Sequence, residues 1–271
     1  MTAVMGQSGH SEGYEKSTKR PATSEDGEGI DNSATARRAT MLRRKLAELD
    51  AVLQSMGETT AVFQPAIVAA DQGVIEVVVG SSKMAEDRPE LVPQISAMVN
   101  RAYGYRRVDR RDVQERLAMG DAGSSANRVL HLAISNGAIV GCMSSTIRVP
   151  WAEDGCGHWG LLVVDVDHQG KGFASKLVAA AELRLAGACS EIQIEYEFTP
   201  DEEESERLMA WYEGKLGFRC TSGHPRGHGK EFRKCRKPIS QEDQQWGRQA
   251  RLTGVREEFV AELAALESAL Q

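Results

Sequence analysis

A strand–turn–helix unit near the middle of the chain constrains the fold more than any other segment. Residues 160–164 (GLLVV) form an apolar run with the length and composition of a buried strand. Residues 168–175 (HQGKGFAS) form a glycine-rich turn, and residues 176–185 have the composition of a helix. The first N–H groups of a helix have no intrahelical partner, and the helix dipole favours negative charge beside them. Such a unit can therefore bind a phosphate group.

The residues of this turn fit an anionic ligand. Gly170 and Gly172 let the backbone approach a ligand without an intervening Cβ, while Lys171 and Gln169 add a cation and a hydrogen-bond donor. The turn is not a P-loop, because no Lys-Ser/Thr pair opens the helix, and the dinucleotide pattern G-x-G-x-x-G is absent there. A glycine-rich turn that binds nothing is the alternative interpretation.

The composition argues against several classes of protein. The net charge of −6 is unlike that of a general nucleic-acid-binding protein, which carries a basic surface. No run approaches the length of a membrane span, and residues 1–30 lack an apolar segment followed by a cleavage site. We therefore expect a cytoplasmic protein, with the nucleus as the alternative compartment, that binds neither nucleic acid nor membrane.

The cysteines indicate neither a disulfide framework nor a zinc site. They are odd in number and scattered, and none has C-x-x-C spacing or a neighbouring histidine. We expect all five to be reduced packing residues and the protein to bind no metal. They are Cys142, Cys156, Cys189, Cys220 and Cys235.

The two ends of the chain differ from its middle. Residues 1–34 contain almost no large apolar side chains and are predicted to be disordered. Residues 35–57 carry apolar side chains at steps of three and four and predict an amphipathic helix, and residues 241–271 predict a second one. Helices with so short a seam need a partner. We expect them to pack on each other, on the central domain, or across a homodimer; separate capping of the central domain by each helix fits the pattern equally well.

The order of elements between the ends predicts one α/β domain over residues 74–240. A strand at residues 74–79 precedes a helix that starts near Asp87, and a second helix opens at Asp109. Asn136-Gly137 predicts a β-hairpin, because both residues tolerate positive φ, and Glu191–Phe198 alternates strictly like a half-buried strand. This order implies a mixed, partly antiparallel sheet with one crossover, flanked by helices.

Three segments in this order resemble the GNAT superfamily of N-acetyltransferases. Gln169, Gly172 and Ala174 fill the family's pyrophosphate motif Q/R-x-x-G-x-G/A. Residues 212–218 (YEGKLGF) resemble its second signature, and residues 232–238 (FRKCRKP) resemble its last strand. The resemblance covers roughly residues 74–240. It implies the GNAT fold, a mixed and mostly antiparallel sheet flanked by helices, to which this chain adds helices at both ends.

The resemblance also implies that acetyl-CoA binds as the acyl donor. In the family the cofactor strand splays from its neighbour, which makes the backbones of Leu162 and Val164 candidates for contact with the pantetheine arm. Where the family often has an asparagine that contacts the cofactor, this chain has Ser205, which can still donate one hydrogen bond. The candidates for the pyrophosphate are Gln169, Gly170, Lys171, Gly172, Phe173 and Ala174.

The chemistry that the resemblance implies is acyl transfer to an amine, by an acyltransferase that moves groups other than amino-acyl groups. Tyr212, in the second signature, is the candidate acid for the leaving thiolate, although an aromatic residue at helical spacing also suits a core. The extra Gly214, relative to the family's shorter form, leaves the register of this tyrosine open. His158 at the start of the cofactor strand and Glu195 on the next strand are candidate bases.

Two functions fit these features. One is an acetyl-CoA-dependent N-acetyltransferase that moves an acetyl group to a primary amine of a small molecule or protein by direct attack on the thioester. The alternative is a catalytically weak or inactive CoA-binding module that acts through its terminal helices as a protein-interaction or sensor domain. The acidic run 201–204, with Glu195 and Glu197, favours a cationic acceptor, although acidic residues at a helix start also serve the dipole alone.

Overall fold

The computed structural model describes residues 32–56, 75–225 and 230–271, which form two compact units. The first unit contains the sheet and extends to residue 255, and the second joins the N-terminal helix to residues 256–271. The predicted disordered tail lies outside the described residues except for its last three, 32–34, which are helical. Short polar residues such as those at 32 and 33 are frequent at helix starts, so the helix begins earlier than its apolar seam.

Seven strands form one sheet in the first unit, in the order β1-β2-β3-β4-β5-β7-β6. Every neighbouring pair is antiparallel except β4 and β5, which confirms the mixed, mostly antiparallel sheet. The strands are β1 (Glu76–Val79), β2 (Arg128–Ser135), β3 (Ala138–Thr146), β4 (Cys156–Val164), β5 (Glu191–Phe198), β6 (Arg219–Pro225) and β7 (Glu231–Pro238).

The described residues of the two units form seven α-helices. They are α1 (Asn32–Ser55), α2 (Ser82–Asp87), α3 (Leu91–Tyr103), α4 (Arg110–Gly120), α5 (Phe173–Ala186), α6 (Glu203–Met209) and α7 (Gln241–Ala269). The prediction that a helix starts near Asp87 is wrong, because the short α2 ends there and α3 begins at Leu91. The Ser81 hydroxyl caps α2 by accepting a hydrogen bond from the Met84 N–H at 3.3 Å.

Two local predictions are confirmed. Asn136 and Gly137 connect β2 to β3 with φ angles of 49° and 77°, the conformation that this dipeptide tolerates. Asp109 opens α4 through a capping box, in which its carboxylate accepts from the Asp112 N–H at 2.9 Å. The Asp112 carboxylate accepts from the Asp109 N–H in return, at 2.8 Å.

Two apolar clusters cover the two faces of the sheet. One joins the sheet to α5, α6 and the residues that follow α6, and it includes Trp159, Leu177, Tyr196 and Tyr212. The other joins the opposite face to α3 and α4 through residues such as Ile95. β4 is buried on both faces, which explains why its sequence is a continuous apolar run.

One pair of cysteines departs from the sequence-based expectation. Cys220 and Cys235 lie directly opposite each other on β6 and β7 and form a disulfide bond. The prediction that all five cysteines are reduced is therefore wrong for this pair, whereas Cys142, Cys156 and Cys189 are free and buried. The register of two strands brings the pair together, and a separation of 15 residues in the sequence gives no sign of it.

The second unit consists of α1 and the last part of α7 lying against each other. Three of the contacts run in opposite directions along the two helices, from Arg43–Glu267 through Lys45–Phe259 to Asp50–Arg256, whereas Arg38–Glu262 departs from this order. Exposed ion pairs of this kind each contribute only about 0–1 kcal/mol. The contacts are Arg38–Glu262 (2.7 Å), Arg43–Glu267 (2.6 Å), Asp50–Arg256 (2.5 Å) and the Lys45 ammonium over the Phe259 ring (5.5 Å). A homodimer through these helices stays a prediction.

The sequence predicts that the protein binds neither a membrane nor a metal ion. No helix within the described ranges is long and apolar enough to cross a bilayer. The same ranges contain no group of three or more His, Cys, Asp or Glu side chains that could hold a metal ion.

A close crossing of α5 and α7 provides a test of the packing in the first unit. A Cβ on Gly247 would meet the backbone N of Gly187 and would lie 2.5 Å from the carbonyl carbon of Ala186. Backbone atoms cannot swing aside, so we expect Gly247→Ala to lower the free energy of unfolding by about 1–3 kcal/mol. Gly254, in the same helix, has no atom within 4 Å of its Cβ position. Gly254→Ala should therefore raise the free energy of unfolding by up to about 1 kcal/mol.

Urea unfolding of the full chain, followed by circular dichroism, measures both changes. Opposite signs for the two substitutions are the expected result. A Gly247→Ala protein as stable as the Gly254→Ala protein would contradict the described crossing.

Candidate active site

The parallel pairing between β4 and β5 stops after three residue pairs. The pairs run from Cys156–Glu191 to His158–Gln193. Beyond them β4 remains paired only with β3, and β5 only with β7. The two strands thus enclose a wedge, called here the β4–β5 gap, which is closed at His158–Gln193 and opens toward the end of β4. Unpaired strand edges are templates for an extended ligand.

A bulge in β4 lies beside this gap. Gly160 faces Ser144 and Val163 faces Cys142, so β4 has one residue more than β3 between these pairs. Leu161 takes up the extra residue with a φ of 55°, a left-handed conformation that is uncommon for leucine. The bulge shifts the alternation of the strand, so that Trp159 and Leu162 both join the cluster on the α5 face.

The backbones of the two predicted pantetheine contacts point into the gap. The Asp165 N–H donates to the Val140 carbonyl at 2.8 Å, so the Val164 carbonyl of the same planar peptide points away from β3. Alternation along the strand gives Leu162 the same backbone orientation. The Gln169 side-chain amide donates to the Val164 carbonyl at 3.2 Å. Two predicted cofactor-binding residues therefore bond to each other.

The glycine-rich turn follows at the open end of the gap. Gly170 and Gly172 have φ angles of 75° and 88°, and a Cβ on either would meet no atom within 4 Å. Glycine is therefore required here by backbone conformation and not by space. Gly172 is the N-cap of α5 and offers no side-chain hydrogen bond to the first turn. The amides at the start of this 14-residue helix, including that of Ala174, remain available to an anion.

The side chains of the turn mostly stabilise the turn itself. The Lys171 ammonium donates to the Asp167 carbonyl at 2.8 Å, and the Asp165 carboxylate accepts from the Asp167 N–H at 3.3 Å. The Phe173 ring is buried and meets the His168 ring edge-on, with centroids 5.8 Å apart. In the predicted phosphate-binding set, backbone groups are thus better placed to bind an anion than the side chains of Lys171 and Phe173.

Tyr212 bridges the two strands that border the gap. Its ring centroid lies 5.8 Å from that of Trp159 on β4 and 4.9 Å from that of Tyr196 on β5. The side chain is fully buried, and its hydroxyl has no hydrogen-bond partner among the described residues. Burial raises the pKa of Tyr212 well above its ordinary value, and Tyr103 and Tyr196 raise it further. The phenol therefore keeps its proton at neutral pH.

A π-helical turn, Ala210–Lys215, carries Tyr212. The Leu216 N–H donates to the Trp211 carbonyl five residues earlier, at 2.9 Å. A π-turn holds one residue more than an α-turn, so the helix accommodates the extra residue of the YEGKLGF segment. The Tyr196 hydroxyl donates to the Glu213 carboxylate at 2.9 Å and ties the turn to β5.

The two predicted bases lie on the opposite face of the sheet and meet at Gln193. His158 is opposite Gln193, and Glu195 follows two residues later on the same face. The His158 Nδ1 lies 2.8 Å from the Gln193 carbonyl, which only accepts, so Nδ1 carries the proton. Burial lowers the pKa of His158 to about 4. The Glu195 carboxylate accepts from the Gln193 side-chain amide at 3.0 Å.

Ser205 serves the local backbone and not the expected cofactor contact. Its hydroxyl accepts from the Thr199 N–H at 3.2 Å and donates to the Glu202 carboxylate at 3.1 Å. Because a hydroxyl has one proton, its donor is already used at the start of α6. The acidic residues of this first turn are likewise exposed, and Glu203 faces Arg207 at 4.0 Å. The dipole of α6 accounts for their position.

Comparison with known proteins decides the family. Residues 94–218 match the family model described as the acetyltransferase (GNAT) family. The chain carries a GNAT acetyltransferase domain. No curated protein matches the sequence.

Solved structures of similar fold include several acetyltransferases. A GNAT-family acetyltransferase from Streptococcus pneumoniae is 16% identical, with 61% of this chain and 99% of that chain covered and a TM-score of 0.48. An aminoglycoside 6'-N-acetyltransferase complexed with coenzyme A is 15% identical, with 62% and 97% covered and a TM-score of 0.46. An acetyltransferase from Salmonella typhimurium, which modifies the N-terminal serine of a 50S ribosomal subunit protein, is 15% identical, with 61% and 95% covered and a TM-score of 0.44.

The GNAT domain also brings residues to the gap that the sequence analysis did not select. Trp159 and Tyr196 line its two sides and hold Tyr212 between them. Tyr196 occupies an apolar position in the alternating pattern of β5, and that pattern predicts burial without indicating which neighbour the ring contacts. The parallel register of β4 and β5 supplies the missing information.

Two fully buried histidines make the stability of the GNAT domain depend on pH. Burial lowers the pKa of His131 to about 3 and that of His158 to about 4, below the ordinary value of 6.5. As the pH falls below about 6.5, the unfolded chain binds protons that the folded chain does not, so stability falls toward pH 4. His131 contacts the Ser145 hydroxyl at 2.8 Å. We expect His131→Gln to weaken the dependence by removing one of these groups.

Chemical denaturation of the full chain across this pH range measures the effect. A free energy of unfolding that stays constant between about pH 6.5 and pH 4.5 would contradict the neutral, buried state of both rings.

Proposed function

We propose that the chain is an acetyl-CoA-dependent N-acetyltransferase that moves an acetyl group to a primary amine. One observation carries the proposal: Tyr212 lies across the β4–β5 gap with a buried, protonated and unpaired hydroxyl. The gap has a phosphate-type turn at its open end. A GNAT domain with this arrangement has a place for each part of the reaction.

The residues present fit acetyl-CoA. The amides of residues 170–174 would hold the diphosphate, since they lie at a helix N-terminus where two glycines take positive φ. The backbones of Leu162 and Val164 would lie beside the pantetheine arm, because both point into the gap. Bound acetyl-CoA supplies a thioester, which is the acyl group and the leaving sulfur of the reaction.

The transfer forms a C–N bond to the acceptor amine and breaks the C–S bond of the thioester. One proton leaves the amine and one reaches the sulfur. Tyr212 would give the second proton from its hydroxyl. Its ring lies between the two strands that border the gap, and its phenol stays protonated at neutral pH. Glu195 would take the first proton from the other face, at the closed end of the gap, with His158 as the alternative, a weak base because burial lowers its pKa to about 4.

Tyr212→Phe separates the acid role from packing. We expect kcat to fall by about 10²-fold or more, while the Kd for coenzyme A stays within about twofold. The free energy of unfolding should stay equal or rise, because the substitution removes a buried hydroxyl that has no partner. Tyr105→Phe is the matched control, since Tyr105 is half-exposed. Wild-type turnover by Tyr212→Phe would refute the acid role.

Glu195→Gln tests the base. The glutamine keeps an acceptor for the Gln193 amide but cannot take a proton at neutral pH. We expect the rate at pH 7 to fall and then to rise about tenfold per pH unit, because the amine must then lose its proton to solvent. His158→Gln is the comparison. If neither variant changes the pH profile, the proton leaves through water and not through these side chains.

A CoA-binding module that acts through its terminal helices is the second candidate. It is favoured by Ser205, whose hydroxyl is used at the start of α6, and by the separate unit formed by α1 and the end of α7. Release of free CoA thiol from acetyl-CoA with a mixed panel of amines distinguishes the two. Tight CoA binding without release for any amine would favour the module.

A further inference from the structure

A row of polar side chains crosses the sheet at the closed end of the β4–β5 gap. Its members stand directly opposite one another on four neighbouring strands, so their side chains share one face. The row is Arg128 on β2, Thr146 on β3, His158 on β4 and Gln193 on β5. The face is the one covered by α3 and α4, because Leu130 and Leu132 alternate in step with Arg128 and belong to that cluster.

Arg128 is a half-buried cation whose side chain extends along this row. Its Nε donates to the Thr146 hydroxyl at 3.0 Å, which directs the guanidinium over β3 toward β4. Its charge contributes to the low pKa of His158, as expected for a short separation. Within the described ranges Arg128 makes no ion pair with a carboxylate. Four of its five N–H donors are not used by the Thr146 contact.

A second such cation approaches from α4. The Nε of Arg116 is buried without a hydrogen-bond partner, and no described carboxylate lies within ion-pair distance of this side chain. Burial lowers the pKa of Arg128 and the charge of Arg116 lowers it further, so the two charges act on each other. Arg184, another half-buried arginine, instead donates hydrogen bonds to the carbonyls of Ala126 and Ser145. Asp112 acts on Arg116 from beyond ion-pair distance, so the two neighbouring cations Arg116 and Arg128 have no directly paired carboxylate among the described residues. Their burial is costly unless an anion joins them.

The other end of the row carries an unpaired acceptor. Gln193 is fully buried, and its Oε1 has no hydrogen-bond partner within the part of the chain that the structure describes. The Glu195 carboxylate can accept a hydrogen bond only from the amide nitrogen of Gln193, and this contact fixes which way the Gln193 side-chain amide points. Beside the middle of the row, the buried Ser144 hydroxyl on β3 also has no partner among the described residues. The row therefore has positive charge at the β2 end and an unpaired amide oxygen at the β5 end.

We propose that this row recognises an acceptor that carries a carboxylate beside its amine, which is the chemistry of a free amino acid. Arg128, supported by Arg116, binds the carboxylate through the planar fork that suits two oxygens. Gln193 Oε1 and Glu195 face the amine at the closed end of the gap. The inference rests on the proposed acetyltransferase function. It differs from the cationic acceptor expected from residues 201–204, which lie exposed at the start of α6.

Matched acceptors test this inference. Free CoA thiol is measured with pairs of amines that differ only in the carboxylate: an amino acid and its carboxamide, in a series that lengthens the chain between amine and carboxylate. We expect kcat/KM of the wild-type protein to favour the carboxylate member of the best pair by at least about tenfold. Arg128→Gln should lower kcat/KM for that amino acid by on the order of 10²-fold and leave the carboxamide nearly unchanged. Arg128→Lys should recover part of the loss.

Arg148→Gln is the matched control, because Arg148 follows β3 and its side chain is exposed. Circular dichroism and the melting temperature show whether each variant folds. If Arg128→Gln does not fold, inhibition of the wild-type protein replaces it: a carboxylic acid without an amine should compete with the acceptor, and its carboxamide should not. Equal use of both members of every pair, or an equal loss for both in Arg128→Gln, would overturn the inference while the acetyltransferase function stands.

Binding provides a readout that does not need turnover. Calorimetry with the amino acid series should show binding to the wild-type protein and at least tenfold weaker binding to Arg128→Gln. If no amine releases CoA, the proposed function fails, and the calorimetric result alone then decides the inference. No amino acid binding by the wild-type protein would overturn it.

Discussion

The interruption of the β4–β5 pairing is the constraint on which the rest of the site depends. β4 is held by β3, with a bulge at Leu161, and β5 is held by β7 along its whole length. The two strands can therefore separate without unfolding. Backbone groups that lose a strand partner must find another one, and a ligand that runs alongside β4 can supply it. The turn at the end of β4 and the tyrosine across the gap can act on one ligand only because the gap exists.

The gap also connects two chemically different faces. Aromatic rings cover one face, where burial keeps Tyr212 protonated. On the other face, polar groups lie at the closed end of the gap, where His158, Gln193 and Glu195 are linked by hydrogen bonds. Under the proposed function, a thioester held between the strands would meet Tyr212 from one side and the amine with its base from the other.

The sequence predicted the parts of this arrangement that depend on local signals. The Asn136-Gly137 hairpin, the capping box at Asp109 and the strand–turn–helix unit each follow from neighbouring residues whose conformational preferences agree. The family resemblance indicated Tyr212, but the extra Gly214 left the register of this tyrosine open. The π-turn in the structure accommodates the extra residue.

Features that depend on register or on competition between partners were not predictable in the same way. The Cys220–Cys235 disulfide and the row through Arg128 arise from which residues stand opposite each other on different strands. Gln169, Lys171 and Ser205 have the expected polar groups, but nearby backbone groups or carboxylates take their hydrogen bonds. Residue type therefore indicates what a side chain can bind, and only the fold shows which partner it reaches first.

The most direct measurement is a crystal structure of the full chain with coenzyme A. The account predicts the diphosphate on the amides of residues 170–174 and the pantetheine arm inside the β4–β5 gap, alongside Leu162 and Val164. Coenzyme A bound elsewhere, or a gap that stays empty at saturating concentrations, would contradict it.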